Sequence, residues 1–241
     1  MAVFHLRQVY KVAMGPVPRY CRQAAYDLFV QELATLEETN SLVRAVVAVS
    51  MHELDDIDPA DVEKTLGEMA HEINSRTPSG NPHAMVAQLH ELLFEEWGFT
   101  GNTDDYNAPD NSYLPRVLQT RRGIPVTLTL IYKAVAQQIG LIVRGINAPV
   151  HFLAAVEVDH SWMIIDPFDC GRVLTRDEVF DRLDQLAGEP VQRSDALLAT
   201  ASHPQWLGRI IRNLEHIFDR AGRQSDVLAM RELLALVKDA E

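Results

Sequence analysis

His151 and Asp166 are the two residues of this chain whose types and spacing best suit chemistry. Each lies in a run with the composition of a β-strand, VHFLAAVEV (150–158) and SWMIID (161–166). Only residues 159–160 separate the two runs, which predicts an antiparallel hairpin. A carboxylate beside an imidazole orients the ring and lets it act as a general base, which is the base half of a nucleophilic triad.

The length of the turn decides whether the two side chains share a face of this hairpin. A two-residue turn pairs Val158 with Ser161 and places Asp166 opposite Leu153, two residues from His151. A four-residue turn places Asp166 opposite His151, and in both cases the side chains lie on one face, about 5–8 Å apart. A three-residue loop would separate them. The competing interpretation is a buried polar pair that only satisfies its own hydrogen bonds.

A triad also needs a nucleophile, and the N-terminus of a helix favours a thiolate. The stretch TRRGIPVTLTLIYKAVAQQIGL (120–141) has a Gly-Ile-Pro turn, an amphipathic run and Gly140 as a stop signal, which predicts such a helix. Pro125 stands where the chain enters this helix, and it offers neither a nucleophilic side chain nor a backbone N–H. The pair therefore lacks a nucleophile where one would be expected.

Other residues are weaker candidates for the nucleophile. Cys170 follows the second strand closely, and a short loop could return it toward His151; the competing interpretation is a small apolar filler near a turn. Cys21 belongs to the helical flank and is more distant. Thr127 and Thr129 lie inside the central helix, where a threonine more often bonds a preceding carbonyl of its own helix.

The flanking segments are mainly helical, and the order of elements predicts an α+β fold. We expect a helical N-terminal subdomain (1–97), a core with a small antiparallel sheet (98–190) and a C-terminal αα-hairpin (191–241) whose two helices join at Gly222. Helix caps are predicted at Asp58 with Pro59 following, at Ser112, and at Thr175 with Glu178 as a capping box.

Composition and charge limit the classes of function. The chain has 241 residues, a formal net charge of −12 and no basic cluster larger than a pair, so we expect no nucleic-acid or membrane partner. Its two cysteines fit no zinc or CxxC pattern and favour a reducing cytoplasm, and the first residues lack the apolar block of a signal peptide. No window approaches a membrane span. We expect a cytoplasmic protein without metal or cofactor.

A polar stretch before the central helix, GFTGNTDDYNAPDN (98–111), predicts a long loop of the kind that is often functional. Its three aspartates suggest calcium binding, but the central glycine and closing glutamate of a calcium loop are missing. Arg121 and Arg122 could clamp an anion, lie in solvent or pair with this acidic loop. We expect residues 105–111 of this loop and the turn at 121–125 to border one cleft.

Several ordered motifs resemble a known family. NSYLPRVLQTRRGIPVTLTLIYKAVAQQIGL, HFLAAV and WMIIDPFDCGRVLT are similar to the transglutaminase-like core of the SirB1 family, over about residues 105–175. The helical flanks are also similar to that family, and the final αα-hairpin resembles its tetratricopeptide-like tail. The resemblance implies a papain-like core with catalytic residues in the order Cys, His, Asp. His151 and Asp166 match the last two, and the cysteine position falls at Pro125.

This departure from the family pattern leads to three hypotheses of function. The first is a non-catalytic module, a pseudoenzyme that binds a protein or peptide partner through its remnant cleft and helical tail. The second is an amide hydrolase or transferase that uses the His151–Asp166 pair with Cys170 or water. The third is a structural adaptor that works through the tail. The expected binding residues around the cleft are Asn111, Arg121, Arg122, Gly123 and Pro125.

Overall fold

The computed structural model describes residues 17–77 and 80–239, so the first sixteen residues of the expected N-terminal subdomain lie outside the described residues. The fold is α+β, as predicted. The helices are α1 (Gln23–Leu33), α2 (Thr39–Ser50), α3 (Pro59–Arg76), α4 (Pro82–His90), α5 (Leu114–Thr120), α6 (Pro125–Gln138), α7 (Arg176–Ala187), α8 (His203–Arg220) and α9 (Gln224–Asp239). The strands are β1 (Thr100–Gly101), β2 (Arg122–Gly123), β3 (Val143–Ile146), β4 (Leu153–Val158), β5 (Ser161–Asp166) and β6 (Arg172–Leu174). No helix in the described ranges is long and apolar enough to cross a membrane.

Two of the three predicted helix caps are confirmed. The Asp58 side chain accepts a hydrogen bond from the backbone of Ala60 at the start of α3, and Thr175 forms a capping box with Glu178 at the start of α7. The prediction for Ser112 was wrong. That residue ends a 3₁₀ turn (Pro109–Ser112), and α5 begins two residues later.

The main sheet has four antiparallel strands in the order β3-β4-β5-β6. Val158 pairs with Ser161, which confirms the two-residue turn. Asp159 and His160 both have positive φ, 49° and 60°, as a type I′ turn requires, and this turn matches the twist of paired strands. The strands β1 and β2 form a separate parallel pair.

The helix α6 lies at the centre of the fold. It was expected to be amphipathic, but all its residues from Pro125 to Ala136 are buried. Three of its buried polar side chains donate to backbone carbonyls of other segments: Thr127 to Asn111, Thr129 to Phe152 and Lys133 to Val143. These polar side chains can be buried at low energetic cost only because acceptors from other segments are present. Hydrophobic periodicity alone does not reveal such acceptors.

The two faces of the sheet pack against different helices. The face toward α6 joins a large hydrophobic cluster that extends from Cys21 to Val237, and the other face packs against α7 through residues such as Leu153 and Phe180. The large cluster includes side chains from all three expected parts of the chain. The division at residues 97 and 190 stays a prediction.

Helix α8 is attached to the sheet by Trp206. This fully buried indole packs on Phe152, with ring centroids 4.7 Å apart, and donates from Nε1 to the Val126 carbonyl of α6 at 3.2 Å. A Cβ at Gly145 of β3 would overlap the Trp206 ring and lie 2.8 Å from Phe152 Cε1. A side chain at Gly145 would therefore displace α8 from the sheet next to His151.

We predict that Gly145→Ala lowers the free energy of unfolding by about 1–3 kcal/mol, because the extra methyl overpacks a rigid aromatic contact. Urea titration followed by circular dichroism measures this change. Gly67→Ala is the matched control, since a Cβ there meets only Gln138 Oε1 at 3.6 Å in the interior of α3. That substitution should stabilise the protein, by up to ~1 kcal/mol. Equal effects would show that Gly145 is not a packing constraint.

Candidate functional site

The structure joins His151 and Asp166 by a buried hydrogen bond. His151 Nε2 lies 2.8 Å from Asp166 Oδ2, and the two side chains are 3% and 1% exposed. Asp166 ends β5, as expected, whereas His151 lies two residues before the start of β4. Because an ionised carboxylate only accepts hydrogen bonds, Nε2 is the donor and Nδ1 is the nitrogen left for another partner.

Asp166 is held in place by its own backbone. Its Oδ1 accepts hydrogen bonds from the amides of Phe168 and Asp169, at 3.0 and 3.4 Å, and so caps the 3₁₀ turn Pro167–Asp169. The Arg182 guanidinium of α7 lies 4.0 Å from Oδ2. These contacts fix the plane of the carboxylate and direct Oδ2 toward the imidazole.

A strained turn brings His151 to this position. The His151 amide donates to the Ala148 carbonyl at 3.3 Å, which closes a four-residue turn with Pro149 second and Val150 third. Val150 has a φ of 54°, in the left-handed region where glycine is usual and a β-branched residue is disfavoured. Backbone strain of this kind persists only where the surroundings impose it, and it is concentrated at functional sites.

Arg209 of α8 holds the start of this turn. Its Nη1 donates to Asn147 Oδ1 at 3.0 Å and to the Ala148 carbonyl at 3.2 Å. Burial lowers the pKa of the guanidinium. No local sequence pattern indicates this role of Arg209, because its contacts join residues 61 and 62 positions apart in the chain.

Phe168 covers the imidazole. Its ring is perpendicular to that of His151, with centroids 6.1 Å apart, and it also meets Tyr106 of the polar loop at 6.0 Å. A Cβ at Gly101 would lie 2.5 Å from the Phe168 ring, so only glycine there lets the ring approach. Apart from the glycine itself, no sequence pattern indicates this contact.

Pro125 is the first residue of α6, as expected. Thr129 stands four residues later, on the same helix face, and its hydroxyl lies 3.4 Å from the carbonyl of Phe152, the residue after His151. Pro125 therefore lies on the face of α6 that points toward the segment before β4, which carries the histidine. The prediction that Thr127 and Thr129 bond their own helix was wrong, because both donate to other segments.

The two cysteines lie in different surroundings, and a catalytic role for Cys170 stays a prediction. Cys170 is exposed, and its Sγ lies 3.4 Å from Thr100 Oγ1 on β1. Among the hydrogen bonds of the described residues, the ring of His151 has only the one to Asp166. Cys21 is buried, which with the nearby Glu232 raises the pKa of its thiol to about 12. A thiol in that state is protonated at neutral pH and a poor nucleophile.

The polar loop and the turn before α6 lie side by side. Asn111 is buried; its Nδ2 donates to the carbonyls of Asp105 and Tyr106, and its own carbonyl accepts from the Ile124 amide at 3.3 Å. Tyr106 of this loop contacts Phe168, and Phe168 in turn contacts the His151 ring. Asn111 thus orders one border of the site from within.

The other expected binding residues support this border in different ways. Arg121 has left-handed backbone geometry and stacks on Phe99 at 4.7 Å, and its buried Nη1 has no hydrogen-bond partner among the described residues. The Arg122 guanidinium lies 3.8 Å from the Asp104 carboxylate, which agrees with the alternative that it pairs with the acidic loop. Gly123 pairs with Gly101 in the parallel strand pair. A binding role for these residues stays a prediction.

Within the described part of the chain, no group of three or more His, Cys, Asp or Glu residues is placed to hold a metal ion.

A sequence profile of the transglutaminase-like superfamily matches residues 60–212, a span that contains the whole site. The chain belongs to the transglutaminase-like superfamily. It is similar to a UPF0162 protein of Xylella fastidiosa (strain 9a5c), with 33% identity over 205 residues that cover 80% of this chain and 73% of the relative. A UPF0162 protein of Pseudomonas aeruginosa is 30% identical over 221 residues, 91% of this chain and 75% of that protein.

A more distant relative is F-box only protein 21 of Mus musculus. It is 29% identical over 187 residues, which cover 68% of this chain but only 29% of that protein. No solved structure matches the chain.

We predict that Asp166→Ala destabilises the protein by about 3 kcal/mol or more, because it leaves a buried imidazole N–H and two backbone amides without an acceptor. Asp169→Ala is the control, since that side chain is exposed and its nearest guanidinium contact is 3.6 Å, so its loss should cost under ~1 kcal/mol. Both changes are measured by urea unfolding. Equal costs would mean that Asp166 does not anchor the site.

Proposed function

We propose that this protein is a non-catalytic transglutaminase-like protein, a pseudoenzyme of the SirB1 type, that binds a protein or peptide partner. The observation that carries the proposal is the combination of an intact His151–Asp166 pair with Pro125 at the start of α6. The base and its orienting carboxylate are kept, while the position of the nucleophile has no reactive atom.

Three features argue against turnover. Proline has no side chain that can attack a carbonyl, and loss of a triad nucleophile lowers turnover by roughly 10⁶-fold. The imidazole is 3% exposed beneath Phe168, so a substrate amide could reach it only after local opening. Cys170, the alternative nucleophile, has its thiol directed to Thr100.

Partner binding is supported by the surface around the buried pair. Tyr106 and Val150 are large apolar residues with exposed fractions of 42% and 49%, and both belong to segments that reach His151. Arg209 bonds the turn before His151, and its positive charge opposes the rise that burial causes in the pKa of Tyr106. Exposed apolar side chains on a rigid support are typical of protein interfaces. We name this surface, formed by Tyr106, Val150 and Arg209, the dyad face.

The helical hairpin of α8 and α9 is the second part of the proposed interface. We propose that it acts as a tetratricopeptide-like tail, because α8 supplies Arg209 to the dyad face and presents its exposed side to solvent. The similarity to a segment of a larger mouse protein supports a module that operates beside other domains.

We predict no turnover by wild type, Cys170→Ser or His151→Ala on fluorogenic amide and isopeptide substrates. Turnover by wild type that disappears in both variants would make Cys170 the nucleophile and overturn the proposal.

In parallel, affinity capture from the source cells should retain a partner on wild type and lose it with Tyr106→Ser. The matched control is Ile142→Ser, which removes another exposed apolar side chain, and it should retain the partner. Equal retention by both variants would contradict binding at the dyad face.

A further inference from the structure

Helix α8 presents a row of basic side chains. Arg209, Arg212, His216 and Arg220 follow one another at intervals of three, four and four residues, which places them on one face of the helix. Arg209 is half-buried, and the other three are exposed. We name these four residues the α8 basic row.

The arginines of this row have no acidic partner within the described part of the chain. Arg209 bonds only neutral acceptors, and no ion pair is formed by Arg212 or Arg220. The acids on the same helix are Glu215, which is paired with Arg231 at 2.7 Å, and Asp219 at the edge of the row. In a chain of net charge −12, unpaired arginines in a row form a local positive site.

Two of these guanidinium groups lie close together. A Cβ at Gly208 would lie 3.1–3.3 Å from three guanidinium atoms of Arg212, so this side chain folds back along α8 toward Arg209. After burial and the opposing effect of Tyr106, the positive charge of Arg212 is a further cause that lowers the pKa of Arg209. Like charges that approach each other without a carboxylate between them favour binding of an anionic group.

A cavity of about 420 Å³ opens at the end of the row. It lies between Asn107 and Pro109 of the polar loop and Ile217, Phe218 and Arg220 of α8. Its lining is apolar at Pro109, Ile217 and Phe218 and also includes Arg220 and Arg223, the latter paired with Glu53 and Asp226. The loop that carries Tyr106 of the dyad face thus also forms one wall of this cavity.

We propose that the α8 basic row and this cavity bind an acidic peptide segment with one apolar anchor. The anchor fills the cavity, one carboxylate pairs with Arg220, and one or two more lie on Arg209 and Arg212. The proposal rests on the partner binding proposed above and gives that partner its chemistry. The rise along α8 between the two charge sites is ~12–16 Å, which an extended peptide spans with about four or five residues.

The test uses fluorescence anisotropy with a labelled peptide of sequence GDESSGSEFLG. We expect saturable binding that weakens as salt increases, because the contacts are between exposed charges. Two control peptides replace the acids by lysine (GKKSSGSKFLG) or the anchor by serine (GDESSGSESSG), and both should bind at least ~10-fold more weakly. Single-stranded oligothymidylate serves as a competitor of a different class.

Matched variants locate the site. Arg212→Glu and Arg220→Glu change exposed residues without ion pairs, so each should fold normally by circular dichroism and weaken the acidic peptide at least ~10-fold. Gly208→Ala should weaken it without a change of charge, by displacing the Arg212 guanidinium. Lys64→Glu makes the same charge change on the exposed surface of α3 and should alter affinity less than ~2-fold.

Three results would overturn the inference: equal binding of the acidic and lysine peptides, equal effects of Arg212→Glu and Lys64→Glu, or tighter binding of oligothymidylate than of the peptide. These results are distinguishable from failure of the proposed function. If the peptide fails while a captured partner still depends on Tyr106, partner binding stands and the acidic-peptide inference is wrong. If Arg212-dependent peptide binding occurs but no partner depends on Tyr106, the dyad face is wrong and the basic row stands.

Discussion

The buried hydrogen bond between His151 and Asp166 is the constraint on which the site depends. A carboxylate that is 1% exposed is stable only when donors surround it, and here these are an imidazole and two backbone amides. The two amides belong to the turn that Asp166 itself caps, so the turn after β5 also orients the carboxylate of the site. The imidazole in turn requires the strained turn at Val150, which Arg209 of α8 holds. Helix α8, which is distant in the chain, is therefore coupled to the geometry of the His151–Asp166 hydrogen bond.

The central helix α6 connects this constraint to function. Its burial is compatible with three polar side chains only because carbonyls of the polar loop, β3 and the segment before β4 accept from them. These same bonds set the position of the N-terminus of α6 relative to the segment that carries His151. Pro125 at that N-terminus keeps the helix start rigid, since its φ is fixed, and removes the reactive atom. In the proposed function, this scaffold serves recognition rather than turnover.

Much of this arrangement follows from local sequence. The two-residue turn at Asp159 set the register of β4 and β5, whereas His151 precedes β4 and reaches Asp166 through the turn at Val150. The caps at Asp58 and Thr175 were equally local. The left-handed geometry of Val150, the closeness of Phe168 to Gly101 and the contact of Arg209 with the turn were not predicted. Each depends on residues far apart in the chain, or on a backbone strain that only the assembled fold imposes.

The central claim is that the base and its carboxylate remain arranged for a nucleophile at the start of α6. The measurement that tests it most directly is the alkylation rate of the thiol introduced by Pro125→Cys, in a Cys170→Ser background, with and without His151→Ala. A thiol at a helix N-terminus beside an imidazole is ionised more readily, so at pH 6–7 we predict a rate at least ~10-fold higher when His151 is present. Equal rates in the two proteins would show that Pro125 does not face the imidazole, and would contradict this account.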